Sequence, residues 1–290
     1  MRIASWSWGG RRHVGTVSPD GREVTPLAVA DPSTGALGLI QSLAQGGAMP
    51  AAAGPRLAVD AVTLEAPLPR PLRSLLCVGR NYRAHAAELA GSVFRDIAAK
   101  EEPWPIVFSK FAECVIGPYD VVRLPGAAVS VQIDYESELA IVIGRGGRDI
   151  PAARALDHVF GYTIVNDVTA RDVQLRHKQW DLGKSFDTFC PMGPWIVTAD
   201  ELDARDTRVR GWVNGELRQD ARTPDMIFGI ETLIETCSRG ITLYPGDVIA
   251  TGTPSGVGMG FDPPKWLGPG DVVRIEIDGI GAIENRFEPR

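Results

Sequence analysis

Apolar and polar positions alternate in short runs along most of the 290-residue chain, with turn residues between them, and this predicts a protein built mainly of strands. Residues 14–17 and 22–25 read as two strands around the turn Pro19-Asp20-Gly21, and Pro26 ends the second. Residues 37–43 read as a short helix, followed by an Ala/Gly/Pro-rich stretch at 46–55. Prolines 67, 69 and 71 read as a semi-rigid linker. They place a boundary near residue 70, between a small N-terminal α+β domain (1–70) and a larger body (71–290). In that body, 74–78 is an apolar strand stopped by Gly79, 81–89 a helix, 132–143 a long strand, and 161–166 a strand leading into a helix over about 169–178. The turns Tyr244-Pro245-Gly246-Asp247 and Gly268-Pro269-Gly270-Asp271 each precede a β-branched run, at 248–251 and 272–277. Strands dominate and helices do not alternate with them, so the predicted class is mostly β (α+β) and not a doubly wound parallel sheet.

Hydrophobic residues make up 44% and charged residues 23% of the chain, which is ordinary globular usage. The net charge of −6 argues against a nucleic-acid partner, which requires a basic face. An anionic substrate must then be drawn by a local site. No apolar run reaches the ~18 residues of a membrane span, and the first residues do not read as a signal peptide. Cys77, Cys114, Cys190 and Cys237 form no C-x-x-C pair, which suits reduced thiols in a cytoplasm and not a zinc cluster or disulfide scaffold.

The segment Gln132-Ile133-Asp134-Tyr135-Glu136-Ser137-Glu138 carries the most chemistry. On a continuous strand Gln132, Asp134, Glu136 and Glu138 share one face, with neighbours roughly 7 Å apart. The wholly apolar run 139–143 follows, so these acids adjoin a core. Two carboxylates about 4 Å apart repel by ~4 kcal/mol at an effective dielectric of about 20, so converged acids call for a cation or a proton. Oxygen ligands favour Mg2+, Mn2+ or Ca2+ over zinc. A solvated acidic edge explains the strand alone equally well. Asp167, between a strand and a helix, supplies a third carboxylate, although capping the helix is an ordinary use of Asp there. On that helix Arg171 and Gln174 share a face. An Arg beside a metal can clamp a substrate carboxylate; a solvated helix face is the plain alternative.

His85 and Glu88 stand three apart on a predicted helix, where a Glu can orient the imidazole as a general base or form only a surface pair. The polar stretch 91–105 suits a mobile lid or an ordinary loop. Gly183-Lys184-Ser185 ends like a phosphate loop but lacks its first glycine. Gly256-Val257-Gly258-Met259-Gly260 has the wrong spacing for a dinucleotide fingerprint. In Thr251-Gly252-Thr253-Pro254 the glycine would let backbone N–H groups approach an anion.

Seven segments in order resemble the fumarylacetoacetate hydrolase family: VGRNYRAH (78–85), FSKF (108–111), DYESELAIVIG (134–144), NDVTARDVQ (166–174), LGKSFDTFCPMGPW (182–195), VNGELRQ (213–219) and PGDVIATGTPSGVG (245–258). The resemblance implies a mixed β-sandwich roll with a small N-terminal domain, a homodimer, and Mg2+ or Mn2+ on Glu136, Glu138 and Asp167. It also implies a His85–Glu88 dyad, an active-site Lys184, and Arg171, Gln174, Thr253 and Lys110 near the substrate. The function expected first is hydrolysis of a C–C bond in a small acylpyruvate-type 2-oxo acid through a pyruvate enolate. The same enolate chemistry also serves an oxaloacetate-type decarboxylase or an isomerase acting on 2-hydroxymuconate or heptadienedioate. A non-catalytic binding protein is the expectation from a different class.

Overall fold

The computed structural model describes residues 1–90, 104–176 and 179–290. The chain opens with β1 (Arg2–Trp8), β2 (Arg11–Val17), β3 (Glu23–Pro26), α1 (Leu37–Ala44), β4 (Leu57–Ala58) and β5 (Thr63–Glu65). It continues through β6 (Leu75–Gly79), α2 (Arg83–Ala90), β7 (Ile106–Lys110), β8 (Val115–Ile116), β9 (Val122–Leu124), β10 (Ile133–Asp134) and β11 (Ser137–Ile143). Then come β12 (Val159–Asn166), β13 (Thr169–Ala170), α3 (Arg171–Arg176), α4 (Asp181–Lys184), β14 (Cys190–Thr198), β15 (Arg208–Val213) and β16 (Glu216–Arg222). The last elements are α5 (Ile230–Ser238), β17 (Val248–Ala250), β18 (Val272–Ile277) and β19 (Gly281–Pro289). The fold is mostly β, as the alternation predicts.

One large sheet runs β4-β3-β2-β1-β14-β12-β11-β17-β6-β7, and a second runs β16-β15-β18-β19-β9. They pack face to face, β15 against β11, β18 against β12 and β19 against β14. Leu139, Ile141 and Ile143 of β11 enter the core shared with Val209 and Ile275 of the second sheet. Ala140 and Val142, on the other face of β11, pack in a second core with Ile3, Leu37 and Leu39. The apolar run is thus explained by burial on both faces.

The large sheet crosses the expected boundary near residue 70. β1 pairs antiparallel with β14, Arg2 opposite Val197 and Ile3 opposite Ile196. β1 escaped the sequence pattern because Ile3, Ala4, Ser5 and Trp6 are buried in succession, leaving no alternation to see. The proline stretch is packed: the Pro67 carbonyl accepts from the Ser5 hydroxyl at 3.1 Å and the Ala36 N–H at 2.8 Å.

The expected single strand over 132–143 is two strands that part at Tyr135-Glu136. β10 pairs with β13, whereas β11 pairs with β12. Side chains hold the backbone in the gap. The Glu136 N–H donates to Asn166 Oδ1 at 3.1 Å, and the Ser137 N–H to Gln219 Oε1 at 3.0 Å. The expected helix over 169–178 begins as the short strand β13 and becomes helical only at Arg171. Most of the expected lid (91–103) and the last two residues of that helix lie outside the described residues. Among the described residues no helix is long and apolar enough to cross a membrane.

Candidate active site

Glu136 in the strand break, Glu138 at the start of β11 and Asp167 just after β12 each offer a carboxylate oxygen, and these atoms lie within 4.8 Å of one another. All three residues are buried. The neighbouring strands bring them together: Ser137 stands opposite Asn166, and the Asp167 N–H donates to the Glu136 carbonyl at 3.0 Å.

Asp134 lies apart from this cluster. The strand break removes it from the common face that alternation implied. Its Oδ1 accepts the N–H groups of Tyr135 at 2.9 Å and Gly258 at 2.6 Å; Oδ2 accepts the Met259 N–H at 3.1 Å and Arg171 Nε at 2.9 Å. With both oxygens so occupied, Asp134 anchors Arg171.

Three buried cations answer these acids. Lys184 Nζ bonds Glu136 and Asp167, both at 2.7 Å. Arg171 reaches Asp134 through Nε, Glu136 through Nη2 at 2.6 Å and the Gln174 oxygen through Nη1 at 3.2 Å. The guanidinium expected to clamp a substrate carboxylate is therefore engaged with protein acids. Lys110 Nζ stands 2.8 Å from Asp167 Oδ1, bonds the carbonyls of Val168 and Lys184, and does not line the pocket. It braces Asp167 from within the protein.

Four buried carboxylates thus meet three buried cations. The acid outside the pairing is Glu138, which makes no ion pair among the described residues and accepts only the Gly252 N–H, at 2.9 Å. Burial, then the charges of Asp167 and Glu136, push its carboxyl well above the usual range. Burial would raise Glu136 too, but Lys184 and Arg171 overcome it and hold that carboxyl at about 2. An all-oxygen cluster with one uncompensated charge fits a hard divalent cation. Glu136, Glu138 and Asp167 are the residues that would hold it.

His85 is 3% exposed, and its Nδ1 lies 3.0 Å from Glu88 Oε2. The other Glu88 oxygen accepts the Gly256 N–H at 2.9 Å. Gly260 has to be small here, because a Cβ would stand 2.2 Å from Glu88 Oε1. The glycine loops that resembled anion-binding motifs therefore bind the protein's own carboxylates: Gly252 holds Glu138, Gly256 holds Glu88, and Gly258 holds Asp134. Gly183 has a packing role, since a Cβ there would lie 2.5 Å from the Gln174 backbone nitrogen. It lets α4 back onto α3 and deliver Lys184.

His85, Glu136, Glu138, Arg171, Gln174, Lys184 and Thr253 line one pocket of about 350 Å³, open mouth included. Arg80, Phe108 and Trp180 also line it, the two rings meeting edge to face at 5.2 Å. Sequence reasoning gave these three no role. It also missed Gln219, whose amide nitrogen donates to Thr253 Oγ1 at 2.7 Å and the Pro254 carbonyl at 2.8 Å while its oxygen holds Ser137 N–H. Gln219 closes the VNGELRQ segment, but an uncharged amide on a strand carries no chemical signal of its own.

Geometry and sequence agree with the comparisons. The profile described as "Fumarylacetoacetate (FAA) hydrolase C-terminal" matches residues 74–288. The chain belongs to the fumarylacetoacetate hydrolase family of enzymes. It is 51% identical over 227 residues to "Oxaloacetate tautomerase YisK" of Bacillus subtilis, covering 78% of this chain and 73% of that one. It is 43% identical over 284 residues to the human mitochondrial "Oxaloacetate tautomerase FAHD2A", covering 94% and 87%. Among solved structures, "Fumarylacetoacetate hydrolase (EaFAH)" from Exiguobacterium antarcticum superposes with a TM-score of 0.84 at 40% identity, covering the whole of both chains.

Proposed function

We propose that this chain catalyses the keto–enol tautomerisation of a small 2-oxo dicarboxylic acid of the oxaloacetate type, using Mg2+ or Mn2+ on Glu136, Glu138 and Asp167. The observation that carries it is one pocket lined by Glu136, Glu138 and His85, with Asp167 clustered on the two acids and Glu88 bonded to the imidazole behind the lining. The relatives named as oxaloacetate tautomerases tip the balance among reactions that share an enolate. They favour the isomerase side of the expectation over C–C hydrolysis, the reaction expected first.

Tautomerisation adds one proton at C3 and removes one from the C2 oxygen, or the reverse. With His85 Nδ1 tied to Glu88, the ring proton sits on Nδ1, and Nε2 is left to take or return the C3 proton, while the C2 oxygen exchanges its proton with water. A divalent ion at the acid cluster would supply Lewis-acid stabilisation of negative charge on the C2 oxygen. Lys184, besides holding Glu136 and Asp167, lines the pocket as a further positive charge for that oxygen. Gln174 and Thr253 orient the substrate. Lys110 and Arg171 act through the acids they hold. Residues 1–70 serve as an N-terminal unit docked on the catalytic body of 71–290. A homodimer in the cytoplasm completes the proposal.

The test is Glu88→Gln. It should keep Mn2+ binding and lose on the order of 10²- to 10⁴-fold in tautomerisation, the usual weight of a positioned acid–base group. Full turnover in this variant would remove the dyad from the mechanism.

A further inference from the structure

We infer that Arg80 receives the substrate's second carboxylate and so selects 2-oxo dicarboxylates over 2-oxo monocarboxylates. This rests on the proposed tautomerase reading and adds the group that sets its substrate class. The acid cluster accounts for one end of the pocket, where Arg171 and Lys184 are bonded to Asp134, Glu136 and Asp167. A dicarboxylate brings a second negative charge, which needs a cation delivered by a different element.

Arg80 lines the same pocket from the junction of β6 and α2 and is 9% exposed. Its backbone is in the left-handed region at φ 56°, a conformation that a non-glycine residue holds only where the surroundings impose it. The surroundings do so on both sides. At Gly79 a Cβ would lie 2.4 Å from the Trp180 ring, so the chain passes directly under that indole. The Asn81 amide donates to the carbonyls of Phe228 at 3.0 Å and Thr251 at 2.8 Å, and its oxygen accepts the Phe228 N–H at 2.9 Å. The Asn81 carbonyl accepts the Ile227 N–H at 2.7 Å. The left-handed residue is thus pinned between two fixed neighbours, on a wall of the pocket that also holds Phe108 and Trp180. Such rings exclude water and strengthen a charge pair formed beside them. A guanidinium suits a carboxylate through two parallel N–H···O bonds and can exchange a resting partner for that of a substrate.

The test compares Arg80→Gln and Arg80→Lys with wild type, all Mn2+-loaded. KM and kcat are read for oxaloacetate, with 2-oxobutanoate, a monocarboxylate of the same chain length, as competing inhibitor. Melting temperature and Mn2+ affinity report on folding and the metal site. Arg80→Gln should raise KM for oxaloacetate about 10- to 100-fold, as expected for lost hydrogen bonds between charged groups. kcat should change far less, the inhibition constant of 2-oxobutanoate should hold, and Arg80→Lys should recover part of the loss. An unchanged KM, or an equal loss for both ligands, overturns the role of Arg80 while leaving the tautomerase reading intact. A wild-type enzyme inactive on oxaloacetate overturns both.

Discussion

Gln219 is fully buried, and one amide serves two parts of the site: its oxygen fixes the backbone between Glu136 and Glu138, and its nitrogen fixes Thr253. Replacing it with alanine leaves the Ser137 N–H without its acceptor in a buried place. Gln219→Ala should cost about 1–3 kcal/mol of stability, the penalty for an unsatisfied buried polar group. Mn2+ affinity should fall about 10- to 100-fold, as when a group that orients metal ligands is lost. A denaturant midpoint and a Mn2+ titration read the two effects, and a destabilised variant with native Mn2+ affinity would reduce Gln219 to a packing role. At this scale the sequence displayed charged chemistry well. Acids beside an apolar run, and a His three residues from a Glu, announce themselves by type and spacing. What it hid is who holds whom: Arg171 and Lys110 are bonded to protein acids, and only the fold reveals that.

Alternation misled where elements break. It put Asp134 on a common face with Glu136 and Glu138, because a two-residue interruption leaves the hydrophobic pattern almost intact. The interruption is written in long-range partners, Asn166 and Gln219, that no local window contains. Turn glycines were visible as well, but not their purpose. The loop around Gly256–Gly260 supplies N–H groups to Glu88 and Asp134 and clears the space that Glu88 fills. Gly260→Ala tests this directly. A methyl group 2.2 Å from Glu88 Oε1 forces that carboxylate off His85. Turnover should drop at least tenfold with Mn2+ affinity preserved, since a misplaced acid–base pair loses much of its usual contribution. Native turnover in Gly260→Ala would mean that Glu88 can shift without consequence.

For the molecule as a whole, the mostly β class was legible from period-two patterning, and the family from seven ordered motifs. β1 and its pairing with β14 were not, because a strand buried on both faces loses its alternation and its partner lies nearly 200 residues away. The same sheet carries the structure from the N-terminal strands to β11 and β12, which bear Glu138 and lead to Asp167. In a chain of net charge −6, Asp134, Glu136, Glu138 and Asp167 outnumber the cations bonded to them, Lys110, Arg171 and Lys184, so a divalent cation at the cluster would favour an anionic substrate at that end of the pocket. The central claim therefore joins metal and reaction in one experiment. The ultraviolet absorbance of enol oxaloacetate is followed with metal-stripped protein, before and after adding Mg2+ or Mn2+, with pyruvate assayed in the same samples and in parallel with acetylpyruvate. The account predicts that metal and protein together speed keto–enol conversion beyond either alone, without matching release of pyruvate. No acceleration over the metal alone, or rapid pyruvate release from acetylpyruvate with none of the conversion, would contradict it and return the site to C–C cleavage.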